Sequence, residues 1–343
     1  MITRSRFLQV LAGGAGALAL AGCGAQKATD AGDEGKKDTA AEPVAVRAAA
    51  LKGPTAMGLV KFMSEVDAGN LKDEDYSFQI LASADEVAPL ISKSEADIAA
   101  VPANLASVLY NKTSGAVRVI AVNTLGVLYI CELGDTVNTV ADLRGKTIFS
   151  AGKGATPEYA LEYVLRANGL DPAADVTIEW KSEHAECVAA LAQDATAIAM
   201  LPQPFVTTAQ AKNDQIRVAL DLNQEWAAAC EAEGRDGKLI TGVAVVRREF
   251  ADAHPEAVDA FLGHYRESVE FVNANTDEAA ALVGGYDIVP EAVAKKALPA
   301  CNITFVDGAD MKAQLSGYLE VLADQNAEAV GGKLPGDDFY YGA

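Results

Sequence analysis

Histidine is the scarcest reactive side chain in this 343-residue chain, present only as His184, His254 and His264. No H-x-x-x-H or H-E-x-x-H spacing joins them, which excludes the helix-borne zinc-hydrolase arrangement. Glu183 and Glu186 beside His184 read as the acidic start of a helix rather than as a metal set. No Gly-x-Ser-x-Gly occurs, and Gly152-Lys153-Gly154 lacks the Gly-Lys-Ser/Thr ending of a phosphate loop. No catalytic residue, metal site or cofactor is therefore expected, and the chain reads as a non-enzyme. The five cysteines, Cys23, Cys131, Cys187, Cys230 and Cys301, contain no C-x-x-C, which excludes zinc-ribbon and thioredoxin patterns. The last four read as small buried hydrophobes. Aromatic residues make up 6% of the chain, which weakens the case for a stacked ligand; Tyr159, Trp180 and Trp226 remain as rings for one face.

Basic charge is also short, with 28 Lys and Arg against 48 Asp and Glu, a net charge of −20. Such a surface repels nucleic acid and anionic membranes, so neither is expected as a partner. The exception lies at the start of the chain. Arg4 and Arg6 precede an apolar stretch from Phe7 to Leu20, too short to span a bilayer comfortably and closed by small residues, as in a cleaved export signal. Leu20-Ala21-Gly22-Cys23 resembles the bacterial lipobox, which implies removal of residues 1–22 and lipid modification of Cys23. The protein would then sit on the extracytoplasmic face of the cell membrane, held only by that lipid. Residues 24–43 are Ala, Gly, Lys, Asp, Glu and Thr with little to bury, and read as a flexible tether.

With 50% hydrophobic residues, the rest has ample material for a core. It repeats itself. An apolar strand (Val44, Val46, Ala48, Ala50) meets Lys52-Gly53-Pro54-Thr55, then a helix, and the copy reaches Asp97-Ile98-Ala99-Ala100-Val101-Pro102-Ala103-Asn104. Thr147-Ile148-Phe149 likewise meets Gly152-Lys153-Gly154-Ala155-Thr156-Pro157 and arrives at Ala197-Ile198-Ala199-Met200-Leu201-Pro202-Gln203-Pro204. The Gly53-to-Pro102 and Gly154-to-Pro202 separations differ by about one residue. Strands alternating with helices predict parallel sheets covered by helices, hence two similar Rossmann-like α/β lobes with a ligand cleft between them. Two long β-type runs with small polar breaks, at Thr124 and Thr241, read as a two-stranded hinge. The expected lobes are 44–123 with 243–343, and 124–242. Helices from Glu278 to Gly332 are expected to pack on the first lobe.

At this point the chain resembles the type II periplasmic solute-binding proteins of ABC importers, in the branch of nitrate, taurine, alkanesulfonate and thiamine-pyrimidine binders. Four stretches carry the resemblance: Asp142-Leu143-Arg144-Gly145-Lys146-Thr147-Ile148; Gly154-Ala155-Thr156-Pro157-Glu158-Tyr159 with Asn168-Gly169-Leu170; Leu201-Pro202-Gln203-Pro204; and Phe250-Ala251-Asp252-Ala253-His254-Pro255. It implies a monomeric two-lobed clamp that takes a small organic solute, including sulfonate-, nitrate- or taurine-like anions, and delivers it to a permease with its cytoplasmic ATPase. Two alternatives are a pyrimidine-precursor binder or its enzymatic relatives, and an extracellular sensor without transport.

Helix starts with unsatisfied N–H groups suit an anion or a carbonyl-rich ligand. The expected ligand residues are Gly53, Pro54 and Thr55 in the first loop, Ser83 and Asn104 at the next helix starts, and Gly154, Ala155 and Thr156 across the cleft. Gln203, held between two prolines, and the hinge residues Thr124 and Thr241 complete the set. Lys52 and Lys153 stand at corresponding loops, which suggests an anion clamp.

Overall fold

The computed structural model describes residues 43–83, 86–194, 196–235 and 237–343. The export signal, Cys23 and nearly all of the tether lie outside these residues. Among the described residues no helix is long and apolar enough to cross a membrane.

Two mixed sheets organise the chain. The first copy supplies three parallel strands, β1 (Ala45–Leu51), β2 (Asp75–Leu81) and β3 (Ile98–Pro102), with β1 central. The second copy supplies β6 (Thr147–Ala151), β7 (Thr177–Lys181) and β8 (Ile198–Pro202) in the same arrangement about β6. The apolar runs of β3 and β8 are buried on both faces, as inner strands of a sheet covered by helices demand, whereas the edge strands β2 and β7 are partly exposed.

The fourth strand of each sheet runs antiparallel and comes from the far side of a crossing. Strand β4 (Val117–Leu125) ends in the first sheet, and after Gly126-Val127 strand β5 (Leu128–Glu132) pairs with β8 and with β9 (Arg217–Asp221) in the second. The return strand β10 (Ile240–Arg247) inserts between β3 and β4, and β11 (Ile303–Val306) pairs with the outer edge of β4. The orders are β11-β4-β10-β3-β1-β2 and β7-β6-β8-β5-β9. Each lobe is thus completed by a strand delivered through the other's crossing, the architecture of a type II periplasmic binding protein. Thr124 and Thr241 both lie inside the first sheet, where Thr124 stands opposite Gly242.

Local signals place the helices. Helix α5 (Thr156–Ala167) carries Pro157 in its first turn, where a missing N–H costs nothing, and stops at Asn168 before Gly169, whose φ of 73° favours glycine. In α10 (Pro255–Ala274) the residues Val258, Phe261, Leu262, Tyr265, Val269 and Val272 are all buried at helical spacing. They join α2 (Val60–Asp67) and α11 (Thr276–Gly285) in a core against the outer face of the first sheet. A second core underlies α6 (His184–Gln193) and α7 (Phe205–Lys212) in the second lobe.

The largest core does not respect the lobes. It runs from Val119 and Val122 of the first sheet to Ile130 and Ile148 of the second and to the helix residues Tyr159 and Trp226 of that lobe, and takes in Tyr318, Leu319 and Phe339. Helix α13 (Gly308–Gln325) accounts for this. Its Tyr318 ring lies 5.6 Å from Trp226, which belongs to α8 (Leu222–Ala232), and Arg235 reaches Asp324 at 2.8 Å. Helix α13, expected on the first lobe, thus also reaches side chains of the second. One amphipathic helix cannot announce in sequence how many partners its apolar stripe serves.

The four described cysteines are buried, and no disulfide joins them. Two buried carboxylates are held by arginines. Burial alone would raise the Asp97 carboxyl, but hydrogen bonds from Arg47 and Arg247 outweigh it and hold it below the usual range. Glu132 is treated likewise, by Thr136, the Val137 N–H and Arg217.

Candidate functional site

Three groups of side chains form where the lobes meet. The first surrounds Gly242 on β10. A Cβ there would overlap Asn123 Oδ1 and stand 2.7 Å from Thr55 Cγ2 and 3.0 Å from Thr124 Oγ1. Only glycine admits so close an approach. Thr55 donates to the Leu51 carbonyl at 2.9 Å, Thr124 to Asn123 Oδ1 at 3.0 Å, and Thr241 to the Leu125 carbonyl at 2.5 Å. Thr241 thus ties down the last carbonyl before the chain leaves the sheet. Gly53, with φ of 132°, opens the short helix α1 (Pro54–Met57), with Pro54 in its first turn.

The second group crosses the cleft. Thr156 Oγ1, at the start of α5, lies 3.3 Å from Asn104 Oδ1 and 3.2 Å from the Tyr318 hydroxyl. Asn104 belongs to α4 (Ala103–Lys112) of the first lobe, and all three residues are buried. One hydroxyl proton serves each bond in sequence: Tyr318 donates to Thr156, and Thr156 donates to Asn104. Asn104 and Thr156 were expected from sequence on opposite sides of a cleft, and here they touch. Tyr318 was missed, because no local pattern links a residue on α13 to a loop in the other lobe.

The third group lines a groove of about 530 Å³, within the range of small-molecule pockets. Lys52, Gly53, Ala82, Ile288 and Val289 form its first-lobe side; Ser182, Glu183, His184, Pro204, Phe205 and Thr208 form the other. The His184 ring lies 5.2 Å from that of Phe205. Burial pushes its pKa down to about 4, so the imidazole is neutral at pH 7. His184 Nδ1 is buried with no partner. The repeat itself held a signal for this residue. His184 stands three residues past the end of β7 and Ser83 two past the end of β2, so His184 lies in the second copy in the loop that corresponds to the Ser83 loop of the first.

The remaining expected residues are not brought to a common point by hydrogen bonds. Ser83 is exposed and its N–H donates to Glu86 at 2.9 Å. Gly154 is exposed, with its N–H on Glu158 at 2.6 Å, and Ala155 is half-buried before α5. Gln203 is buried, but its Oε1 accepts from Thr207 N–H and Oγ1 at 3.3 and 3.0 Å, inside its own helix start. Lys52 lines the groove and pairs with exposed Asp287 at 3.3 Å, whereas Lys153 is exposed and does not line it. Tyr159 and Trp226 are buried in the core shared by the lobes, while Trp180 is half-buried on edge strand β7. Among the described residues no group of three or more His, Cys, Asp or Glu could hold a metal ion.

Two α/β lobes joined by crossing strands, with neutral polar side chains meeting between them, define a solute-binding clamp. Residues 78–284 match the family described as "ABC transporter, phosphonate, periplasmic substrate-binding protein", and the chain belongs to it. The family is one of non-catalytic, extracytoplasmic binding proteins of ABC importers. No curated protein matches the chain. Among solved structures it is similar to an ABC transporter protein of Parabacteroides distasonis, with TM-score 0.72 and 20% identity over 87% of this chain and 98% of that one. It is also similar to the periplasmic aliphatic sulphonate binding protein of Escherichia coli, with TM-score 0.67 and 16% identity over 86% and 92%. The periplasmic nitrate-binding protein of Synechocystis shares the fold more distantly, with TM-score 0.54 and 15% identity over 74% and 69%.

Proposed function

We propose that this chain is the lipid-anchored capture component of an ABC importer. It takes a small organic solute between lobes made of residues 44–123 with 243–343 and residues 124–242, and hands it to a permease served by a cytoplasmic ATPase. The supporting observation is the Tyr318–Thr156–Asn104 chain of hydrogen bonds, which joins neutral, versatile groups from both lobes at one buried point. A solute entering the cleft exchanges those bonds for its own, so closure and binding are one event. Gly53, Pro54, Thr55, Ser83, Thr124, Gly154, Ala155, Gln203 and Thr241 are proposed as the surrounding contacts. Names borne by structural relatives suggest sulfonates, nitrate and phosphonates as the first compounds to try.

Native mass spectrometry of protein exported in a bacterial host, before and after extraction with solvent, tests this directly. A small molecule released from wild-type protein and missing from Thr156→Val is expected. The solute at about 100-fold over its dissociation constant should then add roughly 2.7 kcal/mol to unfolding stability. Absence of any bound molecule, together with a flat thermal response to sulfonates, nitrate, phosphonates, carboxylates, pyrimidines and vitamins, would overturn the reading. Anchoring is checked by Cys23→Ser, which should move the protein from the membrane to the soluble fraction.

A further inference from the structure

The groove beside the cleft carries one built feature that the expected site residues leave unexplained. His184 opens α6 with its ring 5.2 Å from Phe205. Its Nδ1 is sealed from solvent without a partner, whereas Nε2 carries no hydrogen bond and is not sealed, and the residue lines the groove. A neutral imidazole carries one proton. On Nε2 that proton reaches solvent or a bound molecule; on Nδ1 it would be a buried donor with nothing to receive it, a loss of about 1–3 kcal/mol. The groove therefore meets an uncharged N–H. Burial keeps the ring uncharged at physiological pH.

The other charges around the groove leave it with one negative charge in excess. Lys52 on the first-lobe side is matched by Asp287, and Glu183 stands on the second-lobe side. A bare oxyanion would leave water for a groove with no net positive charge. Phe205, Ile288 and Val289 offer apolar wall instead.

We propose that His184 is a specificity-determining residue of the cleft, donating from Nε2 to an oxygen of a small solute that carries no net charge and seats an apolar body on Phe205. This deepens the reading of the cleft as the solute site and rests on it. The bland alternative is that His184 is a packed ring with an idle edge.

Matched pairs that differ in net charge separate these readings: butyramide with butyrate, nicotinamide with nicotinate, and leucine with 4-methylvalerate. Binding is read by isothermal titration and by the ring signals of His184 in NMR, assigned by comparison with His184→Gln. For at least one pair the uncharged or zwitterionic member should move the His184 signals and bind tenfold or more tightly than its anionic partner. His184→Gln, which keeps an N–H donor, should hold affinity within about threefold; His184→Phe, which keeps the ring, should lose tenfold or more. Tighter binding of the anionic members, His184 signals that no compound moves, or wild-type affinity in His184→Phe would each overturn the proposal. A compound that binds through Thr156 without moving His184 leaves the clamp standing and removes only this assignment. Loss of both would remove the clamp as well.

Discussion

The two recesses flanking the lobe junction are similar in size and opposite in chemistry. Beside α13 a recess of about 470 Å³ is lined by Tyr163, Arg166, Glu233, Arg235, Asp324 and Gln325. Its polar groups are already spoken for: Arg235 pairs with Asp324 and Glu233, Arg166 with Glu162 and Gln325, and the Tyr163 hydroxyl with Glu233. Behind it the rings of Tyr163, Trp226 and Tyr318 follow one another at a tilt, with centroids 4.4 and 5.6 Å apart. The groove at His184 has apolar wall, an unpaired imidazole and a single exposed ion pair. A surface whose hydrogen bonds are complete holds the molecule together, and one with bonds outstanding waits for something else.

The difference can be broken from the α13 side first. Trp226→Ala should cost about 3–5 kcal/mol in chemical denaturation, because it empties a fully buried site between the lobes. Phe205→Ala, at the half-buried rim of the groove, should cost far less; an equal loss would mean that both edges are structural. At the junction, Tyr318→Phe should cost about 1 kcal/mol and Thr156→Val somewhat more, since it also removes the bond to Asn104, and the double variant little more than Thr156→Val alone. Full additivity would show that the hydroxyls do not pair in solution.

Proton linkage sharpens the groove side. His184 has a folded pKa of about 4 against an ordinary 6.5, so between those values the unfolded chain binds the extra proton. Its contribution to stability therefore falls as pH drops from about 6.5 to 4 and is flat outside that window. His184→Gln should flatten that part of the melting-temperature profile; an unchanged slope would place the titration elsewhere. The smallest effect is expected at Lys52→Ala. Its partner Asp287 is fully exposed, so stability should move by less than about 0.5 kcal/mol.

What could be read from the sequence was whatever repeats over short distances. The doubled strand and helix pattern gave both parallel halves because each half is local, and Pro157 and Gly169 marked the ends of α5 without tertiary help. The insertion of β10 between β3 and β4 was not legible, since an apolar run fits many neighbours. Asn104 and Thr156 were found because both begin helices after a strand of the repeat. His184 occupies a comparable place and was passed over, because flanking glutamates made it look like an ordinary helix start. Nothing short of the fold relates Tyr318 to Thr156, which lies 162 residues away.

That distance has a temporal side. An extracytoplasmic protein crosses its membrane from the N-terminus onward, and α13 is the last long helix to emerge. Both sheets can be complete while Trp226 still lacks the ring that covers it. Until α13 docks, the largest core of the molecule is open to water along its seam. In chain order, Tyr318 is the ring that closes that seam.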